Sequence, residues 1–352
     1  MSFIKRRIDI FSPYIVTVVI IAFLIMGYIG SFNYRFENPL NTQTILTTIF
    51  ASIIFLIGIL TVKFKFNVEN RLELNYLNEK VLIAISIIAL ILQSLNMLLL
   101  GGIPLFDSVL KANATTNLWR IAYPLFLIFI NILIAKYYKK RYLIIVLLGA
   151  LIFGLNGYRT SVLGILVSVF INLYYQQKIS RKFGIGFLMI IIIGLLITGY
   201  IASQSISNQH WTLNPLELIF YRAAFTLEVF QKIIPLAGTT HGHILSMIFS
   251  SGSPRTFIGE YVLHYNVCLT STIFGPVMLD FGLIGLTIQM FLMGSFLAIL
   301  HKIKKGVGIA LYSIILTHTL IWIETGPTDI MIWFLYLIGL LYIIIQKSKL
   351  LI

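Results

Sequence analysis

Arg159 lies between two apolar runs, in Asn156-Gly157-Tyr158-Arg159-Thr160-Ser161. Seventeen residues separate it from Arg141 and eighteen from Lys178, the basic residues that close a hairpin at its other end. At ~1.5 Å per helical residue the chain climbs roughly 26 Å to reach it, a little under one ~30 Å hydrocarbon core. A guanidinium delivered to the far lip of a bilayer is costly and marks a functional site. Arg222 and Arg255 are two further cations that membrane topology does not demand. The ordinary alternatives are a hairpin cap for Arg159, a snorkelling headgroup contact for Arg222 and a solvated loop charge for Arg255. Glu260, His264 and Asp280 are the nearby titratable groups suited to proton transfer. Glu260 and His264 stand four apart and would share a helix face. His241-Gly242-His243 offers two metal ligands, but no third histidine or carboxylate follows at ligand spacing, so no metal is expected.

The elements that must position these residues are membrane spans. The chain has 352 residues, 59% of them hydrophobic and 11% charged, against about 25% charged in a soluble domain. Apolar runs at 11–30, 44–62, 81–100, 121–135, 142–157, 160–176, 184–203, 282–300, 307–323 and 330–346 read as ten spans, an all-α polytopic membrane protein. Met1–Asp9 is basic and the first run is too long for a signal-peptide core, so it reads as a span. Nineteen of the 26 Lys and Arg fall in loops on one side and seven on the other. The positive-inside rule then puts both termini in the cytoplasm and the three arginines outside, in a plasma membrane. The net charge of +14 is therefore topological, and no basic amphipathic face or motif points to nucleic acid. No Gly-rich lysine loop for a nucleotide occurs. The single Cys268 excludes an internal disulfide.

The chain divides into a membrane part at 1–203, a large external segment at 204–281 and further spans at 282–352. In the external segment, Asn214-Pro215-Leu216-Glu217 reads as a helix start: cap, first-turn proline and a glutamate three after the cap. The helix should run to about Ile234. Glu217, Tyr221, Glu228 and Lys232 would form one polar stripe with Arg222 off it, as in a helix lying on the outer leaflet. Ser250–Thr256 offers backbone amides beside Arg255. The apolar stretch Ser271–Gly282 is interrupted by Gly275-Pro276 and could dip into the membrane as a re-entrant piece.

Three stretches resemble the Wzy-type oligosaccharide repeat-unit polymerases, relatives of the O-antigen ligases. They are Gly101-Gly102-Ile103-Pro104-Leu105-Phe106 after the third span, Gly157-Tyr158-Arg159-Thr160 at the hairpin tip, and Phe274-Gly275 through Asp280-Phe281-Gly282-Leu283-Ile284-Gly285 at a late span. Tyr158 departs from the small residue usual before that arginine. An Arg-x10-Gly loop pattern of some members is absent after Arg159, Arg222 and Arg255.

The resemblance implies a GT-C-like membrane glycosyltransferase, inverting and metal-independent, without a cofactor. Such an enzyme joins undecaprenyl-diphosphate-linked oligosaccharides at the external face. A chain-length regulator and a flippase of the same pathway would be its partners. The leaving diphosphate needs cationic clamps, for which Arg159, Arg222 and Arg255 are the candidates. The acceptor hydroxyl needs a base, for which Glu260, His264 and Asp280 are the candidates. Tyr158, Tyr221 and His241 could contact the glycan. The alternatives are an O-antigen-type ligase and a lipid-linked-oligosaccharide flippase or transporter. A transporter would be expected to carry charges deep in several spans, whereas here the charges gather at one face.

Overall fold

The computed structural model describes residues 9–65, 77–179 and 213–348, apart from 34, 37, 108, 109, 112 and 251, together with 184–186 and 189. Among them the regular structure is helical: α1 Tyr14–Gly30, α2 Thr42–Lys65, α3 Glu79–Leu99, α4 Asn117–Tyr137, α5 Tyr142–Gly154, α6 Arg159–Tyr175, α7 Pro215–Ile233, α8 His243–Ile248, α9 Pro254–Leu263, α10 Gly275–Lys302, α11 Val307–Thr325 and α12 Ile330–Ser348. Within α2, α3, α4, α10 and α11 are five stretches long and apolar enough to cross a membrane. Shorter apolar helices occur at Tyr14–Gly30, Tyr142–Gly154, Arg159–Tyr175 and Ile330–Gln346. Nine of the ten expected spans thus coincide with helices. Of the remaining one, 184–203, only 184–186 and 189 are described.

The centre of the bundle is α11. It packs against α1, α4, α6, α10 and α12 and is buried along most of its length. Its polar residues survive there by donating to carbonyls one turn back: Ser313 to Ile309 O, Thr317 to Ser313 O and Thr319 to Ile315 O. One end of the bundle collects basic helix ends: Lys139 pairs with Glu79 at 2.6 Å, and Lys302 donates to Val62 O at 2.7 Å. The opposite end collects the three arginines, at the starts of α6 and α9 and on α7.

α7 begins as its sequence dictates. Asn214 Oδ1 accepts from the Leu216 and Glu217 amides, while Glu217 returns to the Asn214 amide at 2.9 Å. Its Glu228–Lys232 pair lies along the polar face at 3.5 Å. The other face does not lie open to lipid: Ala223, Ala224, Leu227 and Phe230 are buried, and the helix packs on α1. Gly30 allows this approach, since a Cβ there would stand 2.2 Å from Phe220 O. The late apolar stretch differs from expectation as well. Gly275-Pro276 starts α10 instead of interrupting it, because proline fits the first turn of a helix. The break falls at Gly282, whose φ of 62° and ψ of −155° divide α10 into a short first piece and a long second one.

Candidate active site

The hairpin tip between α5 and α6 is tied down from below. Asn156 is fully buried; its side-chain amide donates to Ala114 O and its Oδ1 accepts from Gln93. Gly157 turns with φ +79°. Leu105 N–H donates to Leu155 O at 2.9 Å, and the Tyr158 hydroxyl donates to Lys111 O at 2.8 Å. The Gly101–Phe106 turn and the Arg159 tip, two of the three stretches behind the family resemblance, therefore pack on each other. α5 rises about 20 Å and α6 about 26 Å, both short of a ~30 Å core. Arg159 opens α6. Its guanidinium has neither a hydrogen bond nor an ion-pair partner among the described residues, yet it lies within electrostatic reach of Glu324 and Arg222. Lys111 stands beside it. Partial burial lowers the pKa of the Lys111 ammonium, and the nearby Arg159 charge lowers it further.

Arg222 arrives on α7. Its Nε donates to Glu324 Oε1 at 2.8 Å and its Nη2 to Thr270 Oγ1 at 3.3 Å. Arg255 arrives at the start of α9. Its Nε donates to Thr328 Oγ1 and its Nη2 to Asp329 Oδ2, both at 2.9 Å. The segment before α10 braces both arginines: Leu269 N–H donates to Arg255 O and Thr272 N–H to Glu324 O. The residues just before the third stretch behind the resemblance are thereby joined to the start of the Glu324–Asp329 loop. These pairs are partly exposed, so each adds only about 0–1 kcal/mol of stability. Their consequence is placement. Arg159, Arg222 and Arg255 come from three distant parts of the chain and gather at one end of the bundle. Cys268 belongs to the same neighbourhood. Burial pushes its thiol up, Asp329 adds to the rise, and Arg255 and Arg222 oppose it.

The other sequence candidates fall outside this cluster or serve local structure. Glu260 is exposed on α9 and lies about 140° around the helix from Arg255. His264 does not continue the face of Glu260: it ends α9 in the left-handed region, φ 60°, donating its amide to Glu260 O. Asp280 is buried at 3% exposure. Its carboxylate accepts from Thr240 Oγ1 at 2.6 Å and from the Ile244 and Leu245 amides at 3.0 and 2.7 Å. It pins the start of α8. His241 sits in the preceding turn with φ 48°, and His243 packs its ring on Phe257. Tyr221 stacks on Phe36, with the Arg35 guanidinium 5.9 Å from its ring centre. Tyr158 does stand at the cluster, its phenol pushed up by burial and by Cys268. Glu324, Asp329 and Lys111 join this cluster although they were not among the sequence candidates. The available signal was the short acidic loop Glu324-Thr325-Gly326-Pro327-Thr328-Asp329 between the last two spans.

Residues 9–336 match the protein family described as "Putative O-antigen polymerase". Two proteins of Methanocaldococcus jannaschii are similar to the chain. Uncharacterized protein MJ0419 is 29% identical over 314 residues, 84% of this chain and 84% of the relative. Uncharacterized protein MJ0420 is 30% identical over 257 residues, 73% of this chain and 63% of the relative. No solved structure matches. The family match runs through the Arg159 hairpin, the segment 204–281 and the Glu324–Asp329 loop alike, and the chain belongs to the O-antigen polymerase family.

Proposed function

We propose that the protein polymerises oligosaccharide repeat units carried on undecaprenyl diphosphate, at the external face of the plasma membrane with both termini cytoplasmic. The observation that carries this reading is the convergence of three arginines around one that is unpaired. Arg222 and Arg255 are held by Glu324 and Asp329, while Arg159, with Lys111 beside it, has its charge free for an anion. A diphosphate is the anion that an arginine fork fits bidentately. The departing lipid diphosphate would take the place at Arg159 as negative charge builds on it, which is where fixed cations lower a barrier.

The acceptor hydroxyl attacks the anomeric carbon. Its oxygen bonds to that carbon, the bond from carbon to phosphate oxygen breaks with its electron pair, and the hydroxyl proton passes to a carboxylate. Among Glu260, His264 and Asp280, the buried Asp280 is already committed to three donors, while Glu260 lies about 140° around α9 from Arg255. Asp329 is the better-placed base, 2.9 Å from Arg255 and at the edge of the cluster. No cofactor or metal enters this scheme. A chain-length regulator and a flippase would be partners in the same pathway.

The test is the size distribution of surface glycan on a gel, in a strain lacking the gene and in one complemented with Arg159→Ala. Collapse of the ladder to a single repeat unit, with the variant still present in the membrane, supports polymerisation. A normal ladder with Arg159→Ala overturns the assignment of that residue. Full-length glycan accumulating on its lipid in the deletion strain would mean a ligase, and loss of even the single repeat from the outer face a flippase.

A further inference from the structure

Lys111 and Arg159 stand side by side, and neither charged end has a hydrogen bond or an ion pair among the described residues. The chain builds this pairing in. The Lys111 stem lies across Gly157, where a Cβ would stand 3.2 Å from its Cδ and 3.4 Å from its Cε. The Tyr158 hydroxyl donates to the Lys111 carbonyl at 2.8 Å. Tyr158 thus ties the segment carrying Lys111 to the residue next to Arg159, a reach that a small residue at this position would lack. Asp107, one turn before Lys111, turns its carboxylate onto the Leu110 amide at 3.1 Å. Arg222 and Arg255, by contrast, each meet a carboxylate, Glu324 and Asp329.

Two like charges held together with no carboxylate in contact repel each other. The ligand that offsets this carries two negative charges of its own, a short distance apart. A sugar joined to a lipid through a diphosphate has that form, with one charge on each phosphorus; a monophosphate link has one charge in all. The surroundings give such a ligand a direction. The charge that acts on Lys111 is that of Arg159, whereas Arg159 is also within reach of Glu324 and Arg222. The order is therefore Lys111, Arg159, then the Glu324–Asp329 loop. The turn that leads to Lys111 packs on Leu110 at Gly102. At and before this turn Leu98, Leu99, Leu105 and Phe106 are exposed, an apolar surface on which an alkyl chain can lie. We propose that Lys111 binds the lipid-side phosphate of the donor and Arg159 the sugar-side phosphate, so that Lys111 makes the site selective for a diphosphate carrier over a monophosphate carrier. This rests on the glycosyl-transfer reading above and adds the residue that distinguishes one phosphate from two.

The experiment measures binding of two probes, geranyl diphosphate and geranyl monophosphate, to the full chain in lipid nanodiscs. Wild type should bind the diphosphate more tightly. Lys111→Met keeps an apolar stem over Gly157 and removes the charge. It should weaken diphosphate binding about ten- to a hundredfold, as expected for the loss of one hydrogen bond between charged groups, and leave monophosphate binding unchanged. Lys111→Arg should keep the preference, because it keeps the charge. Arg159→Ala should weaken both probes. Lys111→Gln is a second neutral variant should Lys111→Met fail to fold. A diphosphate preference retained in a folded neutral variant overturns the assignment. So do equal losses for the two probes, or a wild type that shows no preference. A normal surface ladder with Arg159→Ala would instead bring down the polymerase reading itself, independently of which probe the two cations prefer.

Discussion

Arg159 carries a charge that no described side chain neutralises by contact, while its two neighbours of the same sign are each held by a carboxylate. That difference makes it the residue whose replacement should be felt most. Losing one preorganised donor at a site of developing charge costs about 10²–10³ in rate. Arg159→Lys should recover little of that, since an ammonium cannot offer the planar fork; activity equal to wild type in a polymer assay would show that only the charge matters. Asp329→Asn keeps the hydrogen-bond acceptor for Arg255 and removes the base. It should slow polymerisation by about 10²–10⁴, while Glu260→Gln and His264→Gln stay near wild type. The reverse pattern would return the base to α9.

Asp280 shows how an element can absorb a residue that looks chemical. Its carboxylate fastens the 240–245 turn to the first piece of α10. Asp280→Ala strands the buried Ile244 amide, at about 1–3 kcal/mol, and frees the partly buried Leu245 amide. It should lower the melting temperature of the purified protein and reduce its membrane level. An unchanged melting temperature with lost polymer would argue for a chemical role. Elements were the most legible part of the sequence. Period and length located nine helices, and the Asn214–Glu217 cap was read residue by residue. A misread element, besides the buried face of α7, was the start of α10, where Gly275-Pro276 looks like a break in one dimension. Proline only breaks a helix beyond its first turn, and which turn it occupies depends on Ser271, whose O accepts the Gly275 amide.

At the scale of the whole molecule, the claim that the arginine end faces outward can be checked through Cys268. It is the sole cysteine, it reaches solvent, and it shares a neighbourhood with Arg255 and Asp329. A membrane-impermeant maleimide should label it on intact cells; labelling only after permeabilisation would invert the orientation. Burial and Asp329 raise its pKa, so less thiolate is present at neutral pH than for a free cysteine. The labelling rate should therefore be low at pH 7 and climb as pH is raised through and above the ordinary thiol range.

Composition and the apolar runs by themselves determined the helical membrane class and the place of Arg159 between two helices, because burial in lipid constrains every residue along a span. Which carboxylates meet those arginines was decided only by the fold. Glu324 is 102 residues from Arg222 and Asp329 is 74 from Arg255. They meet because α11 runs through the centre of the bundle and the loop that follows it reaches Arg222 on α7 and Arg255 on α9. Glu260 and His264 are nearer in sequence to Arg255, but Glu260 lies about 140° around the helix from it and His264 ends α9 in the left-handed region. Side-chain chemistry is local and could be read locally. Partnership across a bundle depends on helix packing, which no single stretch of sequence contains.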